Sequence, residues 1–319
     1  MRYRNLEAEK IRSLARATDG LPDRNAMFGD MIRLISLGAA TQFSVRPRLT
    51  RKMLDQLFAT CDKVVRGAFK PLHHVKERKL VTTSRQASYS MLLQVPPTTG
   101  FDDMYQLVSL RLFGTTKAFR VYVTSHPVAF QHHAAERLME RTMGVEDALD
   151  TLGKDLSKWM PFTGMAEVHF SGSSDFCVPV GNRAGMMMGE FTPLLRSFTH
   201  RYKFDQHGCA ESSLQTEGRV FVARTFVSAT QLRPEQTFSM NLLADWYSAH
   251  EQDLRRTEND LLWTWSFGSE DSTSVDALAP DCLASLDRIM ENPQFARGVG
   301  AEPASAPFVL PDILRLAAA

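Results

Sequence analysis

The chain has 319 residues, 44% of them hydrophobic and 23% charged, which is ordinary globular composition with length for one large domain or two to three modest ones. The net charge of +1 conceals a gradient: residues 1–80 hold seventeen Lys/Arg against eight Asp/Glu, a net +9, and residues 241–319 hold five against thirteen, a net −8. The sequence Met1-Arg2-Tyr3-Arg4-Asn5-Leu6-Glu7 argues against a secretory signal, and the lack of any stretch near 18 uninterrupted apolar residues argues against a membrane-spanning helix.

Leu6, Ile11, Leu14 and Ala15 give residues 6–17 an apolar helical face. Asp23 can cap a second helix, with Met27, Met31, Leu34 and Ile35 at helical spacing and Gly38 as its stop. Thr50 starts a third, with Met53, Leu54, Leu57, Phe58 and Val64 inside. Near residue 80 the character changes. Residues 88–95 are β-like, 104–113 suit a short helix or a buried strand, and 118–124 alternate as a strand that Pro127 interrupts. A helix begins at the His132-His133 pair and ends by Gly144, and 145–156 reads as another. Strands are expected at 166–170, 176–180, 184–190 and 219–228, with Gly181 and Gly185 bracketing a hairpin or bulge. Residues 192–204 fit either a helix or an extended segment. After Pro234, helices are expected over 235–246, 249–265 and 283–290, with Trp246, Trp263 and Trp265 in their core, and a tail follows from Gly298. These elements predict an α+β protein with a central antiparallel sheet and helical N- and C-terminal regions. The divisions expected are 1–80 basic and helical, 81–240 central, 241–297 acidic and helical, and 298–319 a flexible tail.

Cys61, Cys177, Cys209 and Cys282 are scattered and form no CxxC pair. That argues against a zinc ribbon or thioredoxin-type site and fits free thiols in a reducing cytoplasm. His126, His132, His133 and His169 with Asp175 or Cys177 do not make an HExxH-type pair, so no metal and no other cofactor is expected. His73-His74, among Lys70, Lys76, Arg78 and Lys79, can contact phosphates; a solvated basic loop has the same composition. The basic front therefore faces nucleic acid or the acidic C-terminal region.

The most unusual stretch is His132-His133-Ala134-Ala135-Glu136-Arg137-Leu138-Met139-Glu140-Arg141. On a helix, His133, Arg137 and Arg141 stand at i, i+4 and i+8, and Glu136 and Glu140 make a like-charge pair at i, i+4. Like charges at that spacing repel slightly, and the cross pair Arg137–Glu140 offsets part of the cost. The stripe calls for a partner, either a phosphate or a buried carboxylate. Ala134, Ala135, Leu138 and Met139 form the expected packing side.

This segment resembles the HAxERxxER helix of small domains in the barnase–EndoU–colicin–RelE superfamily, and Arg224-Thr225-Phe226-Val227 is similar to the late strand that follows it there. The resemblance covers about residues 118–230. The interval from helix to late strand is longer here than in a minimal toxin, and the flanking regions have no counterpart in the pattern. It implies metal-independent cleavage of RNA through the 2′-OH. His133 would act as general base or acid, Arg137 or Arg141 would hold the phosphate, and Thr225 would donate to a phosphoryl oxygen. The same residues also suit a helix-terminal histidine, two structural arginines and a common β-former. The alternative function is a non-enzymatic interaction or regulatory protein that retains such a domain and binds a protein partner. Oligomeric state is not legible in the sequence.

Overall fold

A computed structural model describes residues 24–68, 73–75, 84–95, 104–141, 183–267 and 280–300, together with 152–153, 155–156, 159, 162–163, 166 and 176–180. The protein is α+β, with helices and a mixed sheet. It divides into two compact units, each discontinuous in sequence: residues 1–126 with 196–218, and residues 127–195 with 219–319.

The first unit opens with helix α1 (Arg24–Val45) and helix α2 (Arg51–Ala68). Met31, Ile35, Ala39 and Phe43 are buried at i, i+4, i+8 and i+12 of α1. That stripe continues on both sides of Gly38, and its burial outweighs the roughly 1 kcal/mol cost of a mid-helix glycine. The helix therefore runs through the expected stop. It ends just before Arg46-Pro47, where the proline disfavours the helical conformation of the residue preceding it. Thr50 caps α2 as expected, accepting from the Met53 amide at 3.3 Å. Leu54, Leu57, Phe58, Cys61 and Val65 are its buried face.

These helices cover one face of a sheet formed by β1 (His73–Val75), β2 (Ser84–Gln94), β3 (Met104–Thr115) and the first part of β4 (Ala118–Gln131). Residues 104–113 are thus a strand. β2 and β3 pair antiparallel from Ser84↔Thr115 to Gln94↔Tyr105. Their alternation sends Ala87, Tyr89, Met91, Val108, Leu110 and Leu112 to the helices, with Phe119, Val121 and Val123 of β4. A Cβ at Gly114 would lie 2.7 Å from both Leu54 and Phe58, so this glycine lets α2 approach the strand. Buried Arg85 donates to Asp55 at 2.6 Å, and the Tyr89 hydroxyl donates to Asp62 at 3.0 Å. The opposite pleat carries buried Ser88, Ser90, Ser109, Arg111, Thr124 and His126. There Ser109 and His126 Nε2 share a 2.6 Å hydrogen bond.

Three long strands contribute to both units: β4, β6 (Gly185–Asp205) and β7 (Gly208–Ser228). Residues 192–204 are therefore extended. In the first unit β4 pairs antiparallel with β6, from Ala118↔Asp205 to Thr124↔Thr199. In the second it pairs parallel with β7, Val128↔Phe221 to Phe130↔Ala223. The strand continues through Pro127 instead of ending there, and its partner changes at that residue, which has no N–H to give a ladder. The β1–β2, β2–β3, β4–β6 and β5–β6 pairings are antiparallel, as expected of the central sheet, and this parallel one makes the sheet mixed.

In the second unit, β5 (Phe176–Val180) forms a hairpin with β6 through Val180↔Gly185, and Arg183 in its turn has φ 71°. Ala166 is helical rather than the start of a strand. Packed rings of Phe162, Phe176, Phe191 and Phe221 build the aromatic core. Helix α3 (His132–Arg141) follows β4 directly. The chain closes with α4 (Pro234–Phe267), α5 (Pro280–Met290) and α6 (Pro293–Gly298). The two helices expected over 235–265 are one, because Tyr247-Ser248 contains no breaker. Trp246 is buried, donating to Ser285 at 3.0 Å, and Asn292 caps α6 through the Gln294 and Phe295 amides. The expected helix over 6–17, the tail beyond residue 300, and the side chains of Trp263 and Trp265 lie outside the described residues, as does most of 145–156. All four cysteines are free thiols, three buried and Cys209 exposed. Among the described residues, no helix is long and apolar enough to cross a membrane.

Candidate functional site

Helix α3 has two unlike faces. Ala134, Ala135 and Leu138 are at most 1% exposed and form its buried face. The Met139 side chain, expected beside them, lies outside the described residues. His133, Arg137 and Arg141 share the helix as the spacing predicts, and the His133 side chain is 51% exposed.

A short network links the polar side chains. Arg137 Nε donates to His133 Nε2 at 3.2 Å. A guanidinium has no lone pair to offer, so Nε2 is the acceptor and the imidazole proton sits on Nδ1. His133 Nδ1 then donates to Glu136 Oε2 at 3.3 Å. Glu136 also has His132 Nε2 3.7 Å from its other oxygen. Arg137 completes the chain by donating to Glu140 at 2.6 Å. The result is an imidazole with a carboxylate at one nitrogen and a guanidinium at the other. Glu136, which the sequence offers only as half of a like-charge pair with Glu140, is the carboxylate that lies against both histidines. Its signal was present, since it stands at i+4 from His132 and i+3 from His133.

Arg141 and Thr225 take different positions from that pair. Arg141 Nη1 donates to the main-chain carbonyl of Phe226, tying the end of α3 to β7. Thr225, the preceding residue, is half-buried, and its side chain makes no hydrogen bond among the described contacts. On the same strand Arg224 pairs with Glu190 of β6, which pins the two strands together. Arg141 and Thr225 therefore meet the same stretch of β7, while the direct side-chain contacts join His133, Glu136, Arg137 and Glu140.

The second candidate segment is only partly described. His73 and His74 lie in β1, in register with Ser90 and Tyr89 of β2. Lys70, Lys76, Arg78 and Lys79 lie outside the described residues. No group of three or more His, Cys, Asp or Glu suited to a metal occurs among the described residues. Of the histidines considered as ligands, His126 is buried against Ser109 with its pKa lowered to about 3, by burial and then by the Arg111 charge. Cys177 is buried in β5. Comparison of the chain with protein-family models, with curated proteins and with solved structures finds no match.

Proposed function

We propose that this protein is directed at nucleic acid and that α3 serves metal-independent cleavage of RNA through the 2′-OH. One observation carries the reading: a group able to move protons, His133, lies 3.2 Å from a group able to bind phosphate, Arg137. In this scheme Glu136 orients the imidazole, so that Nε2 presents its lone pair once Arg137 turns to a phosphate. His133 takes the 2′-OH proton, and Arg137 stabilises the charge that builds on the phosphorane oxygens. The reading assigns His132, on the other side of Glu136, as the acid for the leaving 5′-oxygen. The similarity to the barnase–EndoU–colicin–RelE helix supports the same chemistry, and a cytoplasmic location belongs to the same proposal.

The test is incubation of the full chain with single-stranded RNA, with and without chelator. Cleavage leaving 2′,3′-cyclic phosphate ends, unaffected by chelator and blocked by 2′-deoxy substitution, is expected.

The second reading is a non-enzymatic interaction or regulatory protein. It is favoured by the short Arg137–Glu140 pair and by Arg141 on the Phe226 carbonyl, which use both arginines within the fold. Absence of cleavage by a folded chain selects this reading.

A further inference from the structure

The first unit carries a group of cationic side chains that the reading of α3 does not use. Arg46 and Arg48 lie in the loop joining α1 to α2, and Arg51 and Lys52 begin α2. The Leu49 amide donates to the Thr116 carbonyl at 2.8 Å, which brings the β3–β4 turn, and Lys117 with it, beside that loop. Arg46, Arg48, Arg51, Lys52 and Lys117 are all exposed. Among the described residues none of the five has a carboxylate partner. The nearby acids are used elsewhere: Asp55 by Arg85, and Asp62 by Arg66 and Tyr89.

Their placement is also unfavourable for the helix itself. The first turn of α2 contains no acidic residue, and two cations stand at the positive end of its dipole. Five like charges held together by a loop, a helix start and a hairpin turn repel one another unless an anion meets them. They spread over an open surface, so a single small anion reaches only a few of them. A polymer of repeating phosphates reaches them all, and three of the five are arginines, whose planar guanidinium suits phosphate oxygens.

We infer that the surface formed by Arg46, Arg48, Arg51, Lys52 and Lys117 binds the phosphate backbone of nucleic acid, without dependence on base sequence. This holds whether or not α3 cleaves RNA. Full engagement of five cations by a single strand gives a slope of log affinity against log salt of about −3.5, from about 0.7 per phosphate contact.

The experiment uses the full chain and a labelled single-stranded 2′-O-methyl RNA 20-mer, which has no free 2′-OH for the proposed cleavage, with affinity read by fluorescence anisotropy over a salt series. The paired variant Arg51→Ala/Lys52→Ala is expected to weaken binding at low salt by at least tenfold and to lower the slope by about 1.4. Arg288→Ala, which removes an exposed cation on α5, is expected to leave both unchanged, so the loss belongs to this surface and not to surface charge in general. Unchanged thermal unfolding confirms that the variants fold, and Arg48→Ala/Lys117→Ala repeats the test on different elements. Failure of the wild-type chain to bind at low salt overturns the inference. So does an unaltered slope in both folded variants. Binding to anionic phospholipid vesicles, lost in these variants while the RNA is not bound, overturns it in favour of a membrane surface.

Discussion

Arg137 donates from Nε to Nε2 of His133 at 3.2 Å, so the residue that would grip a phosphate also occupies the nitrogen that would accept a proton. In the proposed reading the two roles are coupled through one hydrogen bond. A phosphate that draws Arg137 away frees the imidazole at the same moment. Without a phosphate the pair is closed on itself, with Glu136 and Glu140 at its ends.

His133→Ala is expected to lower RNA cleavage by about 10²–10⁴-fold, the usual contribution of a general acid or base. The side chain is half-exposed, so the melting temperature should stay close to that of the wild type. Activity unaffected by this change would remove His133 from the mechanism.

Arg137→Lys should impair cleavage with little effect on stability, because lysine keeps the charge but cannot reproduce a bidentate grip. Arg141→Ala should behave in the opposite sense. It removes the bond to the Phe226 carbonyl and is expected to cost about 1 kcal/mol in chemical denaturation, with cleavage changed less than by Arg137→Lys. Measuring activity and unfolding on both variants checks the assignment. Lower stability in Arg137→Lys with unchanged cleavage would make that arginine structural.

Arg85 is 1% exposed and bonded to Asp55 at 2.6 Å. Asp55→Ala leaves a buried guanidinium short of its carboxylate and is expected to cost about 1–3 kcal/mol. Asp30→Ala removes only the exposed pair with Arg33 and should cost at most about 0.5 kcal/mol. Equal effects in urea denaturation would mean that burial does not set the strength of the Arg85 pair.

His126 gives the protein a sensitivity to acid. Burial, and next the Arg111 charge, lowers its pKa to about 3, against a usual value near 6.5 in an unfolded chain. Between those values the unfolded state holds one more proton than the folded state, so stability rises with pH across the window. The contribution is complete above about pH 6.5 and is lost as pH falls, at no more than about 1.4 kcal/mol per unit. Unfolding measured from pH 7 to pH 4 should show this slope. His126→Gln should lose it, whatever its effect on absolute stability. An identical pH slope in the folded variant would assign the acid sensitivity to other groups.

Periodicity located the elements whose partners are local. The i, i+3, i+4 pattern from Thr50 marked α2 and its buried face, and the HHAAERLMER segment marked α3, because a helix satisfies its backbone within the segment itself. Alternation marked the first part of β4 for a similar reason. Gly38 misled because a glycine's cost is local and small, while the stripe from Met31 to Phe43 is repaid only against the rest of the first unit. Pro127 misled because a strand can pass a missing N–H by changing partner, and the partners lie some seventy to ninety residues away on β6 and β7. Burial of Arg85 and His126, the bond from Arg141 to Phe226, and the gathering of Lys117 beside Arg46 to Lys52 all depend on contacts distant in sequence. The chain alone decided which residues could share a helix and which were charged. Only the tertiary structure decided which charges were paired within the fold and which were left facing solvent, because pairing depends on distance in space and burial sets its strength.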